Sequence, residues 1–208
     1  MKNCTLFDID YTLLNSQLFK QNFRERITKF LNVSAEDLAT VESGYVHRDT
    51  GFTDFNPEEY IDYISKNYDV KAQDISRNFF NDLNFKNISY PDVIPVLENL
   101  IGDYKLGIFS EGFEAFQLIK LQKSGLIKYF DPELTFIYRR KLTKESLNLL
   151  PGGCFVVDDN YYVAEALSKV GLFKPVWLNR KTEEKHPDCE TVFDLTDLRK
   201  LLDSYSKI

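Results

Sequence analysis

Two carboxylates one residue apart close the first apolar run of the chain, Thr5-Leu6-Phe7-Asp8-Ile9-Asp10, and Thr12 and Leu13 follow. Side chains alternate along a strand, so Asp8 and Asp10 point one way while Ile9 faces the core. Like charges that close repel unless a cation lies between them, and oxygen-only ligands suit a hard divalent ion. Three later stretches carry matching groups. The run Lys105–Phe109 ends in Ser110, the run Cys154–Val157 ends in Asp158 and Asp159, and Lys141 follows the run Leu134–Tyr138. A carboxylate that accepts a phosphoryl group needs a cation to screen the attack, donors for the phosphoryl oxygens and an acid for the leaving group. These residue types fill each role.

The elements that must position them change character at Pro91. From Ser16 to about Tyr90 the pattern is helical, with no convincing strand. Phe19, Phe23, Ile27 and Phe30 recur at helical spacing after Ser16, and Ser34 with Asp37 resembles a capping box. Two further helices carry Tyr60, Ile61 and Ile64, then Ile75, Phe79, Phe80 and Leu83; Tyr45–Phe52 reads as a loop. His47, Arg48 and Phe52 in that loop either serve the connection or face a substrate. After Pro91, short apolar strands alternate with amphipathic helices, one of them holding Phe113, Phe116 and Ile119. That alternation predicts an α/β, Rossmann-like three-layer core around a parallel sheet. It is assembled from residues 1–15 and 91–208, with residues 16–90 inserted as a helical unit after the first strand. In such sheets ligands bind at the carboxyl ends of the strands.

The order of these stretches resembles the haloacid dehalogenase (HAD) superfamily over nearly the whole chain. Asp8-Ile9-Asp10-Tyr11-Thr12-Leu13 is similar to its first motif, in which glycine is commoner at the place of Tyr11. Ile108-Phe109-Ser110-Glu111-Gly112 resembles the second, and Phe155-Val156-Val157-Asp158-Asp159 the acidic fourth. Gly125-Leu126 with Tyr129-Phe130-Asp131 resembles the stretch between, and residues 16–90 match the position and type of a C1 cap. The resemblance implies a magnesium-dependent phosphatase of small phosphomonoesters, with Asp8 as nucleophile and metal ligand. Asp10 would be acid and then base, its backbone carbonyl on the metal. Asp159 would ligate the metal directly, with Asp158 in support. Thr12, Ser110, Glu111, Gly112 and Lys141 would surround the phosphoryl group, and the cap would close over the cleft. The third motif departs from the usual Lys-Pro: Arg139-Arg140-Lys141 is followed by Leu142, and Lys144 is the alternative to Lys141.

Composition narrows the field further. The 208 residues suit one domain, or one with a smaller inserted unit, and 43% hydrophobic residues can build a sizeable core. A net charge of -6 gives no basic footprint for nucleic acid. No run approaches the roughly 18 apolar residues of a membrane span, so no membrane partner is expected and the chain reads as cytoplasmic. Cys4, Cys154 and Cys189 are odd in number and far apart, which argues against a disulfide framework; Cys4 and Cys154 read as buried thiols. The only histidines are His47 and His186, which excludes a His-rich metal site, and His186 is expected on the surface along with Arg139 and Arg140. Rival readings are a phosphotransferase or mutase of the same superfamily and a non-catalytic relative that binds a phospho-ligand. A dehalogenase has no need of Asp10 or magnesium, and a receiver domain has its acids in another order. Oligomeric state is not readable.

Overall fold

The structure, a computed structural model, describes residues 4–49 and 52–205. By internal contacts the chain divides into two units, Met1–Asn15 with Ser89–Ile208, and Ser16–Ile88. The first is built on a six-stranded sheet, every neighbouring pair of which is parallel. Its strands are β1 (Cys4–Phe7), β4 (Lys105–Glu111), β5 (Thr135–Tyr138), β6 (Phe155–Asp158), β7 (Lys174–Leu178) and β8 (Glu190–Val192). They lie in the order β5-β4-β1-β6-β7-β8. From β1 the chain adds β4 and β5 on one side, then β6, β7 and β8 on the other. The strand order therefore reverses at β1, the place where parallel sheets open a crevice for ligands.

Alternation along the strands sets the layers. Leu6 and Val156 join a cluster with Val163 and Leu167 of helix α8 (Tyr161–Val170). On the opposite face Phe155 meets Tyr205 of α9 (Leu198–Tyr205), ring centres 5.4 Å apart. The sheet is thus sandwiched between helices in a Rossmann-like three-layer α/β core. β8 had no apolar signature in the sequence; it pairs with β7 through Val176 and Glu190 at an exposed edge.

Two sequence expectations in this unit are corrected. Cys4 and Cys154 form a disulfide rather than two thiols. Thr5 is paired with Phe155 across β1 and β6, so the preceding cysteines are neighbours with Cα atoms 4.7 Å apart. Sequence separation of 150 residues hides a proximity that register enforces. The polar stretch 179–189 is held by its own hydrogen bonds. Asn179 is buried, its amide oxygen accepts from the backbone of Lys181 and Thr182, and its amide nitrogen donates to Thr182 and the Glu184 carbonyl. His186, expected on the surface, is 5% exposed and packs against Tyr161, ring centres 4.3 Å apart and tilted by 32°.

The second unit contains α1 (Ser16–Leu31), α2 (Ala35–Ser43), α3 (Pro57–Asn67) and α4 (Ala72–Phe79). Ser34 and Asp37 form the reciprocal capping box at the start of α2, and Asn56 caps α3 ahead of Pro57. Phe19 and Phe23 of α1 pack on Phe79 at 5.6 and 5.0 Å, giving this unit its own aromatic core. Phe30, expected on the same face, is exposed. No strand was expected here, yet β2 (His47–Asp49) pairs antiparallel with β3 (Phe52–Asp54). Charged residues give that hairpin no apolar alternation to read. The substrate expectation for the side chains of His47, Arg48 and Phe52 lies outside the described residues. The segments flanking this unit meet within the first: Leu14 bridges Ser89, and the Tyr90 amide donates to the Leu13 carbonyl.

Candidate active site

The carboxyl ends of β1 and β6 bring three acids together. One carboxylate oxygen from each of Asp8, Asp158 and Asp159 lies within 4.8 Å of the others. The apolar runs that precede these acids make the strands; the acids stand where the strands leave the core. Asp8 and Asp158 are 6% and 1% exposed. Lys141, itself 5% exposed, reaches between them, its Nζ 2.8 Å from Asp8 Oδ1 and 2.5 Å from Asp158 Oδ2. The Lys141 amide donates to Glu111 Oε2 at 2.9 Å, so the end of β4 fixes the turn that carries the lysine. Lys144 opens the exposed face of helix α7 (Lys144–Asn148) and takes no part.

The electrostatics of this cluster suit a cation. Burial, aided by the Asp158 charge, pushes the Asp8 carboxyl up to about 7 against the pull of Lys141. Burial and the same neighbour lift Asp159 to about 6. Burial opposes the Lys141 charge, but Asp158 and Asp8 outweigh it and hold the ammonium above its ordinary range. Three carboxylates and one ammonium leave two negative charges when all are ionised, which is the complement of a divalent cation. An all-oxygen donor set suits magnesium, so Asp8, Asp158 and Asp159 fit that ion.

Asp159 is held from two sides. Its backbone amide donates to Thr12 Oγ1 at 3.1 Å, and the Trp177 indole donates to its carbonyl at 3.0 Å. Thr12, which the sequence reading places on the substrate, is fully buried and engaged here. Tyr11, which opens the turn after Asp10, has φ 60°, a left-handed conformation that costs an L-residue about 1–2 kcal/mol. The turn's geometry therefore explains why a glycine suits this position.

The second motif acid goes elsewhere. Asp10 is absent from the three-acid cluster; its carboxylate receives Lys120 Nζ at 2.7 and 2.6 Å and Gln117 Nε2 at 2.9 Å. Both partners come from α6 (Glu114–Lys123). Its most deeply buried residues are Gln117, Lys120 and Leu121 rather than Phe113, Phe116 and Ile119, which are only half-buried. Gln117 Nε2 also lies 2.7 Å from the Glu111 carbonyl and 3.3 Å from Ser110 Oγ, the serine being fully buried. Gly112, φ 143°, leaves room for that amide: a Cβ there would stand 3.0 Å from Gln117 Nε2.

Sequence reasoning missed Gln117, Lys120, Trp177 and Arg180. Arg180 donates to the Thr12 carbonyl at 3.1 Å, pairs with Asp92 at 2.9 Å and lies over the Tyr90 ring. Its one sequence signal was its place shortly past the end of β7, as Asp8 and Asp159 follow β1 and β6. Arg139, expected to be solvated, is half-buried with its guanidinium 3.6 Å from the Phe113 ring centre, and Arg140 is half-buried too.

Fold and site together define a parallel α/β protein with a carboxylate cluster at the switch point of its sheet. In fold and in the order of its motifs the chain is similar to proteins of the haloacid dehalogenase superfamily. It is similar to a HAD phosphatase from Thermococcus onnurineus, at 27% identity over 97% of this chain and 98% of that one, TM-score 0.59. A haloacid dehalogenase-like hydrolase from Burkholderia xenovorans LB400 shares the fold at 20% identity, covering 98% and 97%, TM-score 0.72. So does the HAD-hydrolase YfnB from Bacillus subtilis, solved bound to magnesium, at 16% identity, covering 98% and 100%, TM-score 0.66. Solved structures with this fold also include a beta-phosphoglucomutase and 2-haloacid dehalogenases. No family model matches the chain. No curated protein matches its sequence.

Proposed function

We propose that the protein is a magnesium-dependent phosphatase acting on a small phosphomonoester through phosphorylated Asp8. The observation that carries this reading is the trio of acids, Asp8 and Asp158 buried and Asp159 half-buried, with Lys141 between two of them; when ionised they leave two negative charges for a divalent cation to balance. Asp8, Asp158, Asp159 and the Asp10 carbonyl would hold magnesium, which would screen the charge of the phosphoryl oxygens. Asp8 attacks phosphorus; an oxygen–phosphorus bond forms as the bond to the alkoxide breaks. Asp10 gives the alkoxide its proton, then takes one from the water that attacks phospho-Asp8. Phosphate departs and the Asp8 carboxylate is restored. Lys141 and Ser110 hold the phosphoryl oxygens. The second carboxylate, Asp10, supports hydrolysis of an ester over carbon–halogen cleavage, which needs no leaving-group acid.

The test is Asp8→Asn, assayed for phosphate release from p-nitrophenyl phosphate with and without magnesium. Loss of turnover in the variant, and of wild-type turnover in chelator, is expected. Undiminished hydrolysis by Asp8→Asn would falsify the assignment.

A further inference from the structure

Resting on that reading, we infer that Lys181 and Tyr11 form a subsite for a carboxylate on the leaving group, so that the substrate is a phosphorylated hydroxy acid. Tyr11 stands in the turn after Asp10, in a left-handed conformation that glycine adopts without strain. Non-glycine residues held this way cluster at active sites and ligand clamps. Among the described residues the Tyr11 hydroxyl has no hydrogen-bond partner, and its ring centre lies 5.9 Å from Lys181 Nζ. That distance is the outer limit of attraction between a cation and a ring, so the ring does not satisfy the ammonium. Lys181 is exposed, and among the described residues no carboxylate pairs with it. Its neighbour Arg180 differs, because Asp92 and the Thr12 carbonyl already occupy that guanidinium. The Lys181 backbone is fixed by its amide, which donates to the side chain of the buried Asn179. Its charge is felt at the acid cluster: burial and Asp158 raise the Asp159 carboxyl, while Lys141 and Lys181 pull it down. Lys181 also lines an open cavity of about 590 Å³, so a ligand can reach it. One ammonium and one phenol beside the phosphoryl site are both donors, and they suit a singly charged acceptor with two oxygens. A second phosphate, with nearly two charges, would meet only one cation there.

The experiment compares glycerate 3-phosphate with glycerol 3-phosphate, which differ only in a carboxylate against a hydroxymethyl group at the end remote from phosphorus. With magnesium at neutral pH, the wild type should show the higher kcat/KM on the acid, chiefly through KM. Lys181→Met should reduce that preference on the order of 10-fold, as the loss of one charge-assisted hydrogen bond would. Tyr11→Phe keeps the ring and the turn and removes only the hydroxyl; it should reduce the preference about three-fold. Because the preference is a ratio measured on one enzyme, any loss of folded protein cancels from it. A wild type that does not prefer the acid, or a preference that either variant leaves intact, overturns the subsite. Turnover that survives Asp8→Asn strikes the parent reading instead.

Discussion

At the scale of single residues the site is defined by charge held out of water. Asp8 and Asp159 have carboxyls raised to about 7 and about 6, burial being the largest cause for each. Both values lie above the unfolded 3.8, so the folded chain binds protons that the unfolded chain has released. Their contribution to stability is complete below about pH 4 and is lost as pH rises through 6 to 7. A divalent cation opposes that loss, because it favours the ionised acids. Magnesium should therefore raise the melting temperature more at pH 8 than at pH 5, and in chelator the protein should melt lower at pH 8. Melting curves at the two pH values, with magnesium or chelator, check this; a magnesium shift equal at both would contradict it. Sequence disclosed these acids because each ends an apolar strand. It did not disclose Lys120, since its partner Asp10 lies 110 positions away and a lysine on a helix normally reads as solvated.

Among elements, β1 is the one on which the rest depend. It lies between β4 and β6, and it carries Asp8 at one end and Cys4 at the other. The Cys4–Cys154 disulfide fastens β1 to β6 at the end remote from Asp8 and Asp158. Closing so long a loop should stabilise the fold by about 2–4 kcal/mol, or roughly 5–15 °C in a chain of this size. The double change Cys4→Ser with Cys154→Ser should lower the melting temperature by that amount, as should dithiothreitol on the wild type. Identical melting with and without reductant would show that the bond contributes nothing. The strands were legible as apolar runs of the right length, but pairing was not. Register alone set the cysteines side by side, and β2 and β3 pair without any apolar alternation. α6 was placed correctly as a helix and misjudged in its inward face. Phe113, Phe116 and Ile119 outweigh Gln117 and Lys120 in hydrophobicity, yet the half-buried Asp10, past the end of β1, draws the polar pair inward.

At the scale of the whole molecule the architecture was readable from the change of pattern near Pro91, because each unit has its own periodicity. What the pattern could not carry was the fastening at the root of the insertion. Leu14 bridges Ser89 there, while Arg180 grips the Thr12 carbonyl and Asp92. That fastening has a consequence for the order of assembly during synthesis. A nascent chain emerges with β1 first, but its partners β4 and β6 follow about 100 and 150 positions later, and Arg180 later still. The helices of Ser16–Ile88 need only one another for their aromatic core, and contacts near in sequence form soonest. The inserted helices should thus become protease-resistant on the ribosome while β1 still waits, unpaired, for the strands that will flank it. Arrested chains of increasing length, probed by limited proteolysis, should show protection of the helical segment before that of the first strand; the reverse order would refute it.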